Sequence, residues 1–469
     1  MRPNPSDDFD SLNLGDARLS ARARRTAKAF SEQPSLGGPR VLSAAELEGY
    51  YRFVNNERVT FGALLSAHAT ATVERAAKFE RLVVAHDTTE YRFSDEVERP
   101  GLAPMGKGAQ GFYSHVSLVL ATRQHALGVV AVENLTREPR ATKQTQAERY
   151  EDPAKESLRW MRGVLEAERV FAEKKHVRLV HVMDRETDDY DILGSLTEAK
   201  LSFVVRGSYD RRLPEPGASL KSFARQMDVC CTRSANLVRR AERSTQKQRK
   251  LHPARDARVA ELTFAAAAVV LPRPPMSKAN LATLSLNIVR AFEANPPEGC
   301  EPIEWFLLTS EPVDTEEQIL QVVDDYRARW TIEEFFKALK SGCAFEKRQH
   351  ETKSALLNAL GIFIPIAWSL LNLRTASRDE SYASRPAEEA FSPTQLQIIR
   401  LKANNKLPEK PTIREAVIML ARLFGGFQPS NGQPGWSILG AAFEKLLTLE
   451  AGWRMAMSEL SAETGRSDR

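Results

Sequence analysis

Three apolar runs crowded between Arg81 and Val132 constrain this chain more than any other feature. They are Arg81–Ala85 (RLVVA), Ser114–Ala121 (SHVSLVLA) and His125–Val132 (HALGVVAV). Each is short, rich in valine and leucine, and bounded by polar residues, which is the pattern of a strand rather than a helix. Three such strands in direct succession predict an antiparallel meander. A helical segment over Pro153–Lys174 then leads to a further apolar strand, Val177–Met183 (VRLVHVM), a short helix, and the strand Leu201–Arg206 (LSFVVR).

Three strands followed by alternating helix and strand predict an α/β fold, a ribonuclease-H-like mixed sheet with flanking helices. At 469 residues the chain is too long for one ordinary core, so two to four domains are expected, about 100–200 residues each. Residues 1–77 read as a helical head with a basic run, Ala21–Lys28, and a second helix at Ala44–Phe53. The sheet domain is expected over 78–376. Within it, about 207–302 read as a β-rich insertion with strands at Leu262–Leu271 and Thr283–Arg290 and a basic stretch from Arg233 to Arg258. A last strand, Trp305–Leu308, precedes a long helix from Thr315 to Lys340. The apolar stretch Leu356–Leu373 is interrupted by Asn358, Gly361, Pro365, Ser369 and Asn372, and reads as a buried helix rather than a membrane span. Ser377–Pro393 is polar and reads as a linker to a helical C-terminal domain over 377–469, with helical runs at Ala416–Leu423 and Leu439–Leu449.

Lys and Arg number 66 against 61 Asp and Glu, a net charge of +5 that leans only slightly toward a polyanionic partner. Cys230, Cys231, Cys300 and Cys343 form no C-x-x-C pair and have no histidine at ligand spacing, so neither a zinc site nor a disulfide framework is indicated. The N-terminal residues carry no secretion signature. A soluble, cytoplasmic protein is the expectation.

The strongest chemical signal is the segment QVVDDYRARWTIEEFFKALKSG. On one continuous helix Tyr326, Arg329, Glu333 and Lys340 fall within an arc of roughly 60°. Ile332, Phe335, Phe336 and Leu339 form an apolar stripe beside them. Glu334 points roughly 100° away, so Glu333 is the preferred functional carboxylate. The same spacing also suits a solvated helix face. Asp87 and Asp184 each follow an apolar run and are expected at strand ends, although either could be a turn residue or a helix cap. Two strand-end carboxylates and one helical carboxylate could hold magnesium. Such a site suits phosphodiester chemistry, with two hard cations about 3.5–4 Å apart. Arg329, Lys340 and Arg206 are placed to supply cations for phosphate.

These residues resemble the IS-four family of bacterial insertion-sequence transposases. The pattern Y-x2-R-x3-E-x6-K is met by Tyr326, Arg329, Glu333 and Lys340. The first acidic motif is similar to Asp87-Thr88-Thr89, and the second to Asp184-Arg185-Glu186 with Asp188. Phe203–Arg206 is similar to the basic strand end of the family. Leu14, Gly15, Asp16, Arg18 and Arg22 resemble its head motif, and Tyr51-Arg52-Phe53 a second head element. Leu423–Phe427 and Pro434-Gly435-Trp436 resemble C-terminal elements. The resemblance implies cut-and-paste transposition of DNA. Asp87, Asp184 and Glu333 would be the catalytic residues and the ligands of two Mg2+ ions, with Mn2+ able to substitute. Nicking of an element end, a DNA hairpin intermediate, and joining of the ends to target DNA would follow. Trp305 would stack on a flipped base, with a core tryptophan as the alternative. Tyr326, Arg329, Lys340, Lys337 and Arg206 would contact DNA nearby. Arg18, Arg22 and Arg52 would bind double-stranded DNA at terminal inverted repeats. The resemblance also implies a homodimer in the synaptic complex, joined through Thr412–Leu460, and association with the bacterial nucleoid when DNA is bound. Phe336 departs from the family's polar residue before Lys337. The competing readings are a catalytically silent DNA-binding descendant and a stand-alone ribonuclease-H-like nuclease.

Overall fold

The structure is a computed structural model and describes residues 4–121, 125–137, 156–237, 254–300, 302–378, 383–428 and 433–467. Four helices come first: α1 (Ala17–Glu32), the single turn α2 (Gly38–Val41), α3 (Ala44–Val54) and α4 (Phe61–Ala76). Their starts are set by side-chain caps. Asp16 accepts from the Arg18 N–H, Ser43 and Glu46 form a reciprocal capping box, and Thr60 caps α4.

The strands β1 (Arg81–Ser94), β2 (Ala103–Pro104), β3 (Ala109–Leu120) and β4 (Ala126–Leu135) follow, then α5 (Arg159–Phe171), β5 (Arg178–Met183), α6 (Tyr190–Glu198) and β6 (Ser202–Arg206). β1, β3 and β4 are the expected antiparallel meander, and each is longer than its apolar run. β5 and β6 join parallel to β1. The helix expected from Pro153 is described only from residue 156, as a 3-10 turn (Glu156–Leu158) running into α5.

After α7 (Leu220–Gln226) come β7 (Cys231–Leu237), β8 (Arg258–Pro272), β9 (Thr283–Phe292) and β10 (Glu304–Thr309). The β-rich stretch does not form a separate sheet. It continues the same one in the order β6-β10-β9-β8-β7, all antiparallel. Part of its basic stretch, residues 238–253, lies outside the described residues. At its ends, Arg233 pairs with Asp324 at 2.7 Å and Arg258 pairs with Glu293.

Helices cover both faces of the sheet. Val83, Ala85, Val180, Val182, Val204 and Leu307 share one core with Phe30, Phe53 and Leu64 of the head and with α8 (Glu316–Ala328), α9 (Trp330–Lys337) and α10 (Lys353–Arg378). On the other face Met183, Phe203, Val205 and Leu308 pack with Trp160 and Val164 of α5 and Leu193 and Leu196 of α6. Each fully buried Phe, Leu or Val contributes about 1.5–3 kcal/mol, so this three-layer packing holds the polar strand ends rigidly. α10 is long and apolar enough to cross a membrane, but 89% of its most apolar window is buried inside the protein.

Two expectations need correction here. The helix expected as one rod from Thr315 to Lys340 is broken at Arg329. Arg329 N–H donates to the Tyr326 carbonyl and Ile332 N–H to the Arg329 carbonyl, three-residue bonds that tighten the backbone between α8 and α9. A π turn at Ala338–Gly342 then widens it. The polar stretch Ser377–Pro393 is not a free linker. α10 runs on to Arg378, and Ala383, Ala387 and Phe391 are buried. Composition hid this, because three small or aromatic residues anchor an otherwise polar segment. They pack near α11 (Pro393–Lys402), α12 (Ile413–Gly425) and α13 (Trp436–Ser467), whose core is separate from those of the sheet.

Candidate active site

Asp87 is the seventh residue of β1, not its end. The apolar pattern stops at His86, but hydrogen bonding to β3 continues through Asp87↔Val116 to Ser94↔Ala109. What ends near Asp87 is the other ladder: β1 and β5 pair only as far as Ala85↔Val182. Asp87 and Asp184 each lie two residues beyond that pair, past the end of the β1–β5 ladder. Asp184 directly follows β5 and caps a 3-10 turn, accepting from the Glu186 N–H at 2.8 Å. Asp87 accepts from the Thr88 N–H at 2.7 Å.

Side chains alternate along β1, so Asp87, Thr89 and Tyr91 face α9 while His86 and Thr88 face α5. Arg329, at the break between α8 and α9, donates to Asp87 at 2.7 Å and lies 3.6 Å from Glu333. Its side chain is only 12% exposed. Burial pushes the Asp87 carboxyl above its ordinary value; Arg329 pulls it down and the charge of Asp184 pushes it further up. Glu333 is raised in the same way, by burial first, with Arg329 opposing and Asp87 and Asp184 adding to the rise. For Arg329, burial opposes its charge, but Asp87, Tyr326, Asp184 and Glu333 together raise its pKa. Asp87 and Glu333 thus share one guanidinium, and Asp184 acts on all three through its charge. Among the described residues no three His, Cys, Asp or Glu side chains are gathered closely enough to hold a metal ion as they stand.

An aromatic platform adjoins this cluster. The Trp305 and Tyr326 rings meet edge to face at 5.5 Å, the Arg206 guanidinium sits 5.6 Å from the Trp305 ring, and Arg329 lies 5.9 Å from the Tyr326 ring. Trp305 is half-buried on β10, and Tyr326 is buried. Trp330, which sequence reasoning passed over, is 52% exposed at the start of α9.

Other expected residues are elsewhere. The π turn carries Lys340 onto the Tyr91 ring at 5.7 Å, with Glu346, Glu90 and Arg92 as its charged neighbours, farther along the β1 face that carries Asp87. Burial lowers its pKa. Lys337 pairs with Glu334 at 2.7 Å. Glu334 also accepts from Trp436 at 2.8 Å and pairs with Arg374, a structural role that leaves Glu333 as the carboxylate facing Arg329. In the head, Arg18 pairs with Asp16 and Arg52 with Glu48, both exposed, while Arg22 lies against Gly49 across α1 and α3. Sequence reasoning also missed Arg159, whose guanidinium reaches both Thr88 and Glu186. The signal available was the row of polar residues, His86, His115 and His181, inside otherwise apolar strands.

A family model described as the transposase DDE domain matches residues 129–366, about half of the chain. The chain belongs to the DDE transposases. A second model, described as transposase DNA-binding, matches residues 5–59 of this transposase, the segment that holds α1 to α3. Asp184 and Glu333 fall inside the DDE match; Asp87 lies between the two matched segments. A cryo-EM structure of the piggyBac transposase synaptic complex with hairpin DNA is similar at 13% identity, with a TM-score of 0.27. The similarity covers 75% of the transposase and 64% of that chain, so the transposase spans less than two thirds of the length it is compared with.

Proposed function

We propose that the chain is a metal-dependent DNA transposase working by cut and paste, with Asp87, Asp184 and Glu333 as its catalytic residues. The observation that carries this reading is that Arg329 bridges Asp87 of β1 and Glu333 of α9, with the charge of Asp184 from the β5 end acting on both, beside the Trp305–Tyr326 pair. Sheet order and connectivity support a ribonuclease-H-like domain over 78–376, extended by the β-rich strands, with a helical head over 1–77 and a helical C-terminal domain over 377–469. The motifs favour the IS-four family and resemble those of the Tn-five transposase.

The donor set fits hard divalent cations, since all three groups offer carboxylate oxygens and their mutual repulsion is offset by Arg329 and, at Glu333, by Lys337. Two Mg2+ ions, or Mn2+ in their place, would be held by Asp87, Asp184 and Glu333. When bound, such a pair activates an attacking oxygen and stabilises a leaving one. The protein's own residues do the rest. Arg329 and Tyr326 hold the phosphate at the end of the transposon, and Arg206 neutralises the neighbouring backbone. Water cuts one strand, and the freed 3′-hydroxyl attacks the opposite strand to close a hairpin. A second hydrolysis opens it, and the 3′ ends join target DNA. The sharp bend of a hairpin flips a base outward at a cost of a few kcal/mol, which stacking on Trp305 offsets. Arg18, Arg22 and Arg52 bind double-stranded DNA at the terminal inverted repeats. Two copies assemble through 412–460, and the complex works in the cytoplasm on the nucleoid.

The deciding experiment incubates purified protein with an end fragment and Mg2+, then with target plasmid. Hairpin ends followed by joined product are expected. Hydrolysis with no joining identifies a nuclease instead.

A further inference from the structure

We infer that Arg159 is a positioning residue that works from the far face of the sheet, tying the β1 strand at Thr88 to the turn after β5 at Glu186. This sets the spacing of Asp87 and Asp184, and it rests on reading those two carboxylates as metal ligands.

The need for such a tie is in the sheet itself. Main-chain pairing between β1 and β5 stops at Ala85↔Val182, and Asp87 and Asp184 both lie beyond it. Past that point the two strands lack the ladder that would hold their separation. Arg159, the first residue of α5, spans the gap with a side chain that is 7% exposed. Its Nε donates to Thr88 Oγ1 at 2.9 Å and its Nη2 to Glu186 Oε2 at 2.6 Å. Its Nη1 donates to the Glu156 carbonyl at 2.9 Å, which fixes the guanidinium plane.

Each residue that Arg159 grips is in turn bonded to a carboxylate through its main chain. Thr88 N–H donates to Asp87 Oδ1 at 2.7 Å, and Glu186 N–H to Asp184 Oδ1 at 2.8 Å. Four hydrogen bonds therefore link the two carboxylates through five residues, Asp87, Thr88, Arg159, Glu186 and Asp184, with the covalent skeletons of Thr88 and Glu186 joining their side chains to their N–H groups. Thr88 Oγ1 also shares a 3.0 Å hydrogen bond with His115 Nδ1. Burial drives His115 down to about 3, so it stays neutral and does not repel Arg159. Because Thr88 points to the face opposite Asp87, Arg159 acts through its partners and does not touch the reacting atoms. A planar fork with fixed donor directions is required, and a lysine cannot reproduce it.

The test titrates Mn2+ alone into the full-length protein, following free Mn2+ by electron paramagnetic resonance, with thermal melting in metal-free buffer alongside. Arg159→Lys and Thr88→Val are expected to weaken Mn2+ binding by about 10-fold or more, as loss of outer hydrogen bonds does at metal sites. Thr88→Ser, which keeps the hydroxyl, is expected to bring binding back to within about threefold of wild type on the same scale. The Thr88 pair decides the matter if Arg159→Lys does not fold. Wild-type Mn2+ affinity in Arg159→Lys or Thr88→Val, with binding lost in Asp87→Asn, overturns the positioning role alone. Wild-type affinity in Asp87→Asn, or no Mn2+ binding by the wild type, overturns the metal-site reading and this inference with it.

Discussion

Arg329 donates to Asp87 at 2.7 Å across 242 residues of sequence, and on its other side it lies 3.6 Å from Glu333. One guanidinium therefore joins strand and helix at the point where the charges meet. Its removal leaves two carboxylates in a buried setting without the guanidinium that Asp87 bonds and that lies nearest Glu333. Arg329→Ala is expected to lower the rate of end cleavage by about 100-fold or more, the scale of losing a charged group that stabilises a transition state. Affinity for the end, measured by gel shift, should fall far less. Equal losses in both would make Arg329 a general binding residue.

Glu333 and Glu334 adjoin in sequence and separate in role. Glu334 is bound by Lys337, Trp436 and Arg374, so Glu334→Gln should lower the melting temperature. Breaking one partner of a buried ion pair costs about 3–5 kcal/mol, and the part exposure of this group reduces that figure. Glu333→Gln should leave the melting temperature unchanged or raised while abolishing cleavage. Scanning calorimetry paired with a cleavage assay reads both. The opposite pairing of effects would exchange the roles of the two residues.

The pH dependence has a definite sign. Burial first, then the charge of Asp184, holds the Asp87 carboxyl above its ordinary value, and burial and Asp87 do the same for Glu333. A group with a raised folded-state pKa binds its proton more tightly folded than unfolded. Its contribution to stability is full below the ordinary value, 3.8 for Asp and 4.5 for Glu, and is lost as pH rises through the raised value. In metal-free buffer at neutral pH, Asp87→Asn should therefore melt on the order of 1–3 °C above wild type. The gap should close as pH falls toward the ordinary carboxylate range. A gap that widens on acidification contradicts the burial argument. Cleavage needs the ionised groups, so its rate should decline at a higher pH than an exposed aspartate would set.

Trp305 is half-buried between Tyr326 and Arg206, and the proposed function gives it the role of stacking on a DNA base. On a pre-nicked end, Trp305→Ala should reduce hairpin formation by about 10-fold or more, from the loss of roughly 1–3 kcal/mol of base stacking. The first nick should be less affected. An equal effect on both steps would return Trp305 to an ordinary packing role.

Much of this was legible in the residues, for physical reasons that differ from place to place. The meander and the β5 and β6 strands were readable because their cores are apolar runs bounded by polar residues. The extent of β1 was not, because beyond Asp87 its pairing to β3 carries on under side chains such as Thr88 and Glu90 that no apolar pattern marks. The preference for Glu333 over Glu334 came from helix geometry, and the partners of Glu334 accord with it. For Lys340 the single rod of the spacing argument is interrupted by a local tightening at Arg329 and a π turn at Ala338–Gly342, and the side chain lies over Tyr91, four residues along β1 from Asp87. Arg159 was invisible for another reason. Its importance lies in two partners, Thr88 and Glu186, brought together only by the pairing of distant strands.

The most direct test of the account is strand cleavage of a labelled end fragment by Asp87→Ala, Asp184→Ala and Glu333→Ala, each first shown by gel shift to bind that fragment. The account predicts that each single change lowers Mg2+- or Mn2+-dependent cleavage by about 1,000-fold or more, in line with the non-additive loss seen when residues act as one unit. Binding should remain close to wild type. Cleavage at the wild-type rate by any one of the three would remove that residue from the site and contradict the shared role of the three carboxylates.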